Sequence, residues 1–250
     1  MLVAQRNYGI PIRKHYFASP EQSGWYDLLL PTAYLDCQSA QKPRFFSVEQ
    51  RHTLLTDLTA SEEAIFQNFP KDTRSQIRRS EQSGAFALNL AGDMRQFLTI
   101  FNRFATLRKL SLFTDKDLHY IGEGNYCLLT MDREGEPVIA HFYLLSHQTK
   151  TASILISVSD PQYNGNPEMR QAIGHANRSL HWQGMRHLKG LGFHTYDWCG
   201  YVLETDDPVM QGINRFKRTF NGTLAQTYNY YSPGYALIEK LRNKLRQLVA

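Results

Sequence analysis

Apolar and polar positions change period repeatedly along this chain, and the changes mark its elements. The most regular stretch lies between residues 170 and 200. Ile173, Ala176, Leu180, Gly184 and Leu188 recur at helical spacing as a core-facing stripe. Arg170, Gly174, Asn177 and His181, spaced four, three and four apart, share the adjoining face. The spacing predicts a long helix that starts near Pro167 or Glu168, where a proline suits the first turn. Gly192 stops it, and a short buried strand ending in Tyr196-Asp197 follows. A guanidinium, a carboxamide and an imidazole beside a core stripe mark the place where a cleft would open.

The rest of the chain divides in the same way. Residues 1–55 carry many Tyr and Pro and short apolar bursts, as strands and loops do. Acids follow Thr59 and Ser61, either of which would cap a helix running through Phe66. A second helix is expected from Lys71 to Gln82, closed by Gly84, and a strand over Phe86–Leu90. Asp93 caps an amphipathic helix with Phe97, Ile100, Phe101 and Phe104, and a shorter helix is expected over Asp115–Tyr120. Tyr126–Met131, Val138–Leu145 and Ala152–Val158 read as three consecutive strands joined by tight turns. A helix over Asp207–Arg218, a turn at Asn221-Gly222, a strand over Thr223–Tyr231 and a basic terminal helix after Pro233 complete the order. A meander followed by strand–helix–strand gives an α/β (α+β) fold: a mixed, twisted sheet with helices on both faces.

Composition narrows the function classes. The chain has 250 residues, 42% of them hydrophobic and 20% charged, with a net charge of +5. Length and apolar content suffice for a large core. There is no apolar run long enough for a transmembrane helix and no secretory signal pattern, so a cytoplasmic location is expected. Three widely spaced cysteines, Cys37, Cys127 and Cys199, argue against a disulfide framework and show no zinc-site pairing, so no metal is expected. Basic residues gather at Arg74, Arg78 and Arg79 and again at Arg215, Lys217 and Arg218, where phosphate would be met or a helix face merely solvated.

Four segments carry a resemblance. Asp57-Leu58 with Ser61-Glu62-Glu63, then Arg74 to Ser80 with Gly84, form one. The others are Arg170 to Asn177, Tyr196-Asp197 after Gly192, and Ile213 to Gly222 with Phe216 and Lys217. In order and spacing, over roughly residues 55 to 230, the chain resembles the Fem-like branch of the GCN5-related N-acetyltransferase (GNAT) superfamily, whose members are acyl and aminoacyl transferases of cell-surface biosynthesis. The resemblance implies a GNAT-like domain over residues 85–250 and a reduced N-terminal subdomain over 1–84.

What it implies chemically is acyl transfer to an amino or hydroxyl group of a nucleotide- or lipid-linked sugar used in surface polysaccharide assembly. The donor is expected to be acetyl-CoA or another acyl-CoA, since a domain of this length suits a small acyltransferase. An aminoacyl-tRNA donor is the alternative, and a non-catalytic binding module is a third reading; DNA is not an expected partner. Gln171-Ala-Ile-Gly174-His-Ala176 fits the superfamily's pyrophosphate pattern, which needs free backbone N–H groups at a helix start. The resemblance places the acyl carbonyl near Ser157, Ser159 and Asp197, where two strands splay. It makes Lys217 the group that stabilises charge on the carbonyl oxygen. Asp197 and His181 are candidate bases, the imidazole because it titrates near neutrality. Arg170 and Asn177 would hold a phosphate or sugar hydroxyl, with Arg78 and Tyr196 also placed at the substrate. Trp182 and Trp198 are expected to pack the core.

Overall fold

The computed structural model describes residues 2–7, 10–18, 26–110, 112–114 and 121–249. The short helix expected over Asp115–Tyr120 lies outside the described residues. The chain forms two compact units, one made of residues 1–53, 116–122 and 225–250 and the other of residues 54–115 and 123–224. Residues 54–84, expected in an N-terminal subdomain, lie in the second unit.

In the first unit β1 (Leu2–Asn7) pairs antiparallel with β2 (Ile10–Tyr16), which runs parallel to β3 (Thr32–Cys37). β3 pairs antiparallel with β10 (Thr223–Tyr231), and the first half of β4 (Ser47–Asp57) follows β10 in the sheet order. Tyr34, Cys37, Phe46 and Tyr230 pack as its core. Among the described residues two helices belong here, α1 (Tyr26–Leu29) and α7 (Pro233–Val249).

The second unit holds the order of meander, helix and parallel strand expected from the sequence. β5 (Ala87–Asn89), β6 (Tyr126–Arg133), β7 (Glu136–Ser146) and β8 (Thr151–Ser159) are successive antiparallel neighbours. β9 (Thr195–Asp197) then pairs parallel with β8 and antiparallel with the second half of β4. Such a parallel neighbour requires a crossover, supplied here by α5 (Pro167–Gly190). The remaining helices are α2 (Glu62–Asn68), α3 (Lys71–Ser83), α4 (Met94–Leu107) and α6 (Pro208–Arg218). Ser61 rather than Thr59 caps α2, accepting from the Ala64 N–H at 3.2 Å, because Thr59 is engaged by the Asp57 carboxylate.

Alternation along β7 sorts the two faces of this sheet. Ile139, Tyr143 and Leu145 share a core with Ile173, Ala176, Leu180 and Leu188 of α5. Phe142 points the other way and stacks on Phe97 of α4 at 5.5 Å between ring centroids. The sheet is thus covered on both sides, and β7 is buried along almost its whole length. Trp182 and Trp198 pack in the α5-side core, as expected of them.

Gly184 is what lets α5 lie this close to β7. A Cβ there would stand 2.5 Å from the Tyr143 hydroxyl and 3.4 Å from a Leu129 methyl. Tyr143 cannot yield, because its hydroxyl is bonded to His141 and Tyr196. Gly184→Ala is therefore expected to destabilise the protein by about 1–3 kcal/mol despite alanine's better helix propensity. Urea unfolding checks this: an unchanged or raised midpoint would show that the helix can move away.

Candidate active site

The site begins where β8 and β9 part. Their parallel register covers only Thr151–Ser153 opposite Thr195–Asp197, while β8 continues to Ser159 with β7 still paired on its other side. Asp197 sits at the point of divergence. It is buried, accepts a hydrogen bond from Ser153 Oγ at 3.1 Å, and accepts another from the Cys199 N–H at 2.8 Å. Cys199 and Gly200 then both adopt positive φ, 50° and 31°, which swings the chain away from β8. Lys217 of α6 fixes that turn, its ammonium donating to the carbonyls of Cys199 and of Gly200, the latter at 2.8 Å. Desolvation holds the Lys217 amine below its ordinary range, and the neighbouring Cys199 and Asp197 act in the opposite direction.

Four expected site residues line one cleft of about 130 Å³: Ser159, Arg170, Gly174 and Asn177, together with Asp160, Tyr163, Asn164 and Ile173. Asp160 shapes its wall, tied to Arg103 of α4 at 2.5 Å and to the Gln162 side chain at 3.0 Å. Gly174 contributes by having no side chain, since a Cβ would come no nearer than 4.0 Å to its one neighbour, Arg178. Arg178 in turn donates to the Gly174 carbonyl at 3.0 Å and lies 4.8 Å over the Phe216 ring.

Beneath the cleft a buried polar chain crosses the core. His141 of β7 is fully buried, with Nε2 2.7 Å from Asn177 Oδ1 and 3.1 Å from Ser157 Oγ. Its Nδ1 meets the Tyr143 hydroxyl at 3.0 Å, which lies 3.4 Å from the Tyr196 hydroxyl. Tyr196 reaches His181 Nδ1 at 2.7 Å. Burial pushes the His141 imidazole down to about 3 and His181 well below its ordinary value, with His141, Lys217 and Arg178 adding repulsion at His181. Both rings are therefore neutral near pH 7. His181 is boxed by Trp198, Phe216 and Phe220 at centroid distances of 4.7, 5.4 and 5.4 Å. It lies in the core rather than on the cleft face.

The pattern match at Gln171–Ala176 does not form a phosphate cradle. These residues lie inside α5, where Gln171 is exposed, Gly174 faces the cleft and Ala176 is fully buried. At 100° per residue, positions 171, 174 and 176 cannot share a face. The helix start itself is filled: Asn166 Oδ1 accepts from the Met169 N–H at 3.0 Å, Pro167 has no N–H, and Glu168 adds a carboxylate. Gln171 lines a different pocket of about 220 Å³ with Arg79 and His175. Arg78 belongs to a third, a basic groove of about 500 Å³ on α3 formed with Lys71, Arg74, Ser75, Arg79 and Gln82. Neither Gln171 nor Arg78 lines the cleft that holds Arg170. Among the described residues no group of three or more His, Cys, Asp or Glu could hold a metal, and no helix is long and apolar enough to cross a membrane.

His141 was not among the residues singled out in the sequence. Its signal was a polar ring at an inward position of Val138–Leu145, a strand apolar on both faces; strand phase places it beside Tyr143 and against α5.

No protein-family model matches the chain, and no curated protein matches its sequence. Solved structures do share its fold. FemX aligns with a TM-score of 0.64 at 10% identity over 95% of this chain and 85% of its own. The C-terminal domain of a putative lysylphosphatidylglycerol synthetase from Agrobacterium fabrum aligns at 0.59 and 12% identity, covering 96% and 83% of the two chains. L-PGS from Bacillus licheniformis gives 0.58 and 12%, covering 92% and 80%. At these identities the likeness is one of fold alone: the chain shares the fold of FemX and of the lysylphosphatidylglycerol synthetase domains.

Two outcomes test this geometry. Gly174→Ala is expected to fit without clash and to raise stability by about 0.5–1 kcal/mol through helix propensity; a loss would reveal a packing constraint. The buried neutral histidines set a pH dependence. The unfolded chain protonates them below about 6.5 and the folded chain does not, so stability falls as pH drops below 6.5; His141 contributes about 1.4 kcal/mol per pH unit down toward 3, and His181 acts in the same direction. His141→Gln should remove one such contribution from the slope between pH 6.5 and 5 in urea titrations, and an unchanged slope would place the ring in water.

Proposed function

We propose that this chain is an acyltransferase that moves an aminoacyl group from an aminoacyl-tRNA to an amino or hydroxyl group of a carrier-linked acceptor. The observation that carries acyl transfer is the parting of β8 and β9 beside Asn177 and Ser157. It leaves the exposed Ser157 hydroxyl beside Asn177 on the stretch of β8 that β9 no longer pairs, a polar slot where an acyl carbonyl can lie against hydrogen-bond donors. The fold shared with FemX and lysylphosphatidylglycerol synthetases supports the same reaction class.

The first turn of α5 favours the tRNA donor over acyl-CoA. A pyrophosphate needs unpaired N–H groups there, and this turn presents a carboxamide cap, a proline and a glutamate instead. The α3 groove offers a lysine and three arginines to a phosphate backbone. In this reading Arg170 holds a phosphate or hydroxyl of the acceptor, a nucleotide- or lipid-linked sugar of surface polysaccharide assembly. Asp197 and Lys217 hold the strand end and the turn that keep the slot open, and Lys217 adds positive potential there. His181, neutral and boxed in by rings, supports the slot from below instead of exchanging protons with substrate.

Titration of the protein with charged tRNA and, separately, with acetyl-CoA decides between the donors. The expected result is micromolar tRNA binding that weakens steeply with salt, and no CoA binding. Arg74→Gln, Arg78→Gln and Arg79→Gln should each lower the salt slope by about one. Micromolar CoA binding with indifference to RNA would return the donor to acyl-CoA and leave the α3 groove as a solvated helix face.

A further inference from the structure

The polar chain beneath the cleft can be assigned proton by proton. Asn177 Oδ1 can only accept, so His141 Nε2, 2.7 Å away, carries a hydrogen. The neutral ring then has a bare Nδ1, which takes the Tyr143 O–H at 3.0 Å. The Tyr143 oxygen accepts from the Tyr196 O–H at 3.4 Å, and the Tyr196 oxygen accepts from His181 Nδ1–H at 2.7 Å. Every hydroxyl donates once and accepts once, and all bonds point the same way. The direction leaves His181 Nε2 as a bare acceptor, and that atom is buried with no hydrogen-bond partner among the described residues.

The cleft end of the chain is where this direction has an effect. Ser157 Oγ lies 3.1 Å from the His141 Nε2–H and so accepts from it. Its own proton has Asn177 Oδ1 at 3.5 Å, the outer limit of a hydrogen bond, so that contact holds it weakly. Ser157 is exposed, on the part of β8 that has left β9. A hydroxyl whose oxygen is pinned from behind presents its hydrogen forward, into the slot.

We propose that Ser157 donates a hydrogen bond to the acyl carbonyl oxygen during transfer, and that His141 is the positioning residue that fixes its orientation. The proposal rests on the acyl-transfer reading above. The acceptor's lone pair forms the bond to the carbonyl carbon, and the C=O electron pair moves onto oxygen, where the Ser157 O–H stabilises it without giving up its proton. The pair then returns and the bond to the carrier oxygen breaks. That oxygen leaves as a hydroxyl with the proton the acceptor loses, relayed by solvent.

Nitrogen-15 NMR of histidine-labelled protein tests the chain without any activity. The expected spectrum shows His141 as the Nε2–H tautomer and His181 as the Nδ1–H tautomer; His141 protonated at Nδ1 would overturn its positioning role. Steady-state transfer from charged tRNA then tests Ser157. Ser157→Ala should lower kcat on the order of 100-fold with KM changed less than about threefold. His141→Leu should match that loss, and His141→Gln, whose amide can donate in place of Nε2–H, should recover most of it. Full kcat in Ser157→Ala, or equal losses in the two His141 variants, would overturn the assignment. Absence of transfer by the unaltered protein would instead remove the functional reading, and Ser157's role with it, while the tautomers still decide the chain.

Discussion

The parallel pairing of β8 with β9 lasts three residues, and Ser157 stands clear of β9 because it stops there. A full-length pairing would close the sheet and bury Ser157 against backbone. Termination is enforced at Asp197, whose carboxylate takes the Cys199 N–H that a continued ladder would have used, and by the positive φ of the next two residues. Lys217 then ties the departing carbonyls. Three local devices thus convert a sheet edge into a slot, in keeping with the tendency of ligands to collect where strands of an α/β sheet diverge.

What lines the slot is decided one layer down. α5, about 36 Å long at 1.5 Å per residue, lies across the meander with Gly184 pressed onto Tyr143. That closeness brings Asn177 to His141 and His181 to Tyr196. Interior polar groups of this kind cost about 1–3 kcal/mol each when left unpaired, so the chain is stable only as a whole. The neutral state of both imidazoles follows from the same burial.

Much of this architecture could be read from the sequence, because periodicity reports burial directly. The meander, the proline start of α5, the Asp93 cap and the stripe of Ile173, Ala176 and Leu180 all follow from spacing alone. So did the cleft-facing set of Arg170, Gly174 and Asn177. Two things did not. The Gln171 pattern matched as a string, but a helix turns 100° per residue and scatters its members over different faces. His141 escaped notice because a strand buried on both faces looks uniformly apolar, and one polar residue within it has meaning only once its partner on another element is known. His181 was placed on the right helix but not at the right depth: the width of the buried stripe depends on α6 and the turn after it, which bring Phe216 and Phe220 over the ring.

The one-way order of the hydrogen-bonded chain has a bearing on descent. Its direction is anchored at Asn177, and any single member exchanged for an apolar side chain leaves a neighbour with an unanswered donor or acceptor in the core. Lineages carrying this arrangement must alter His141, Tyr143, Asn177, Tyr196 and His181 each in step with the partner it is bonded to. Substitution in pairs, with His141 changing in step with Asn177 and His181 with Tyr196, is the historical trace such a chain would leave among its relatives.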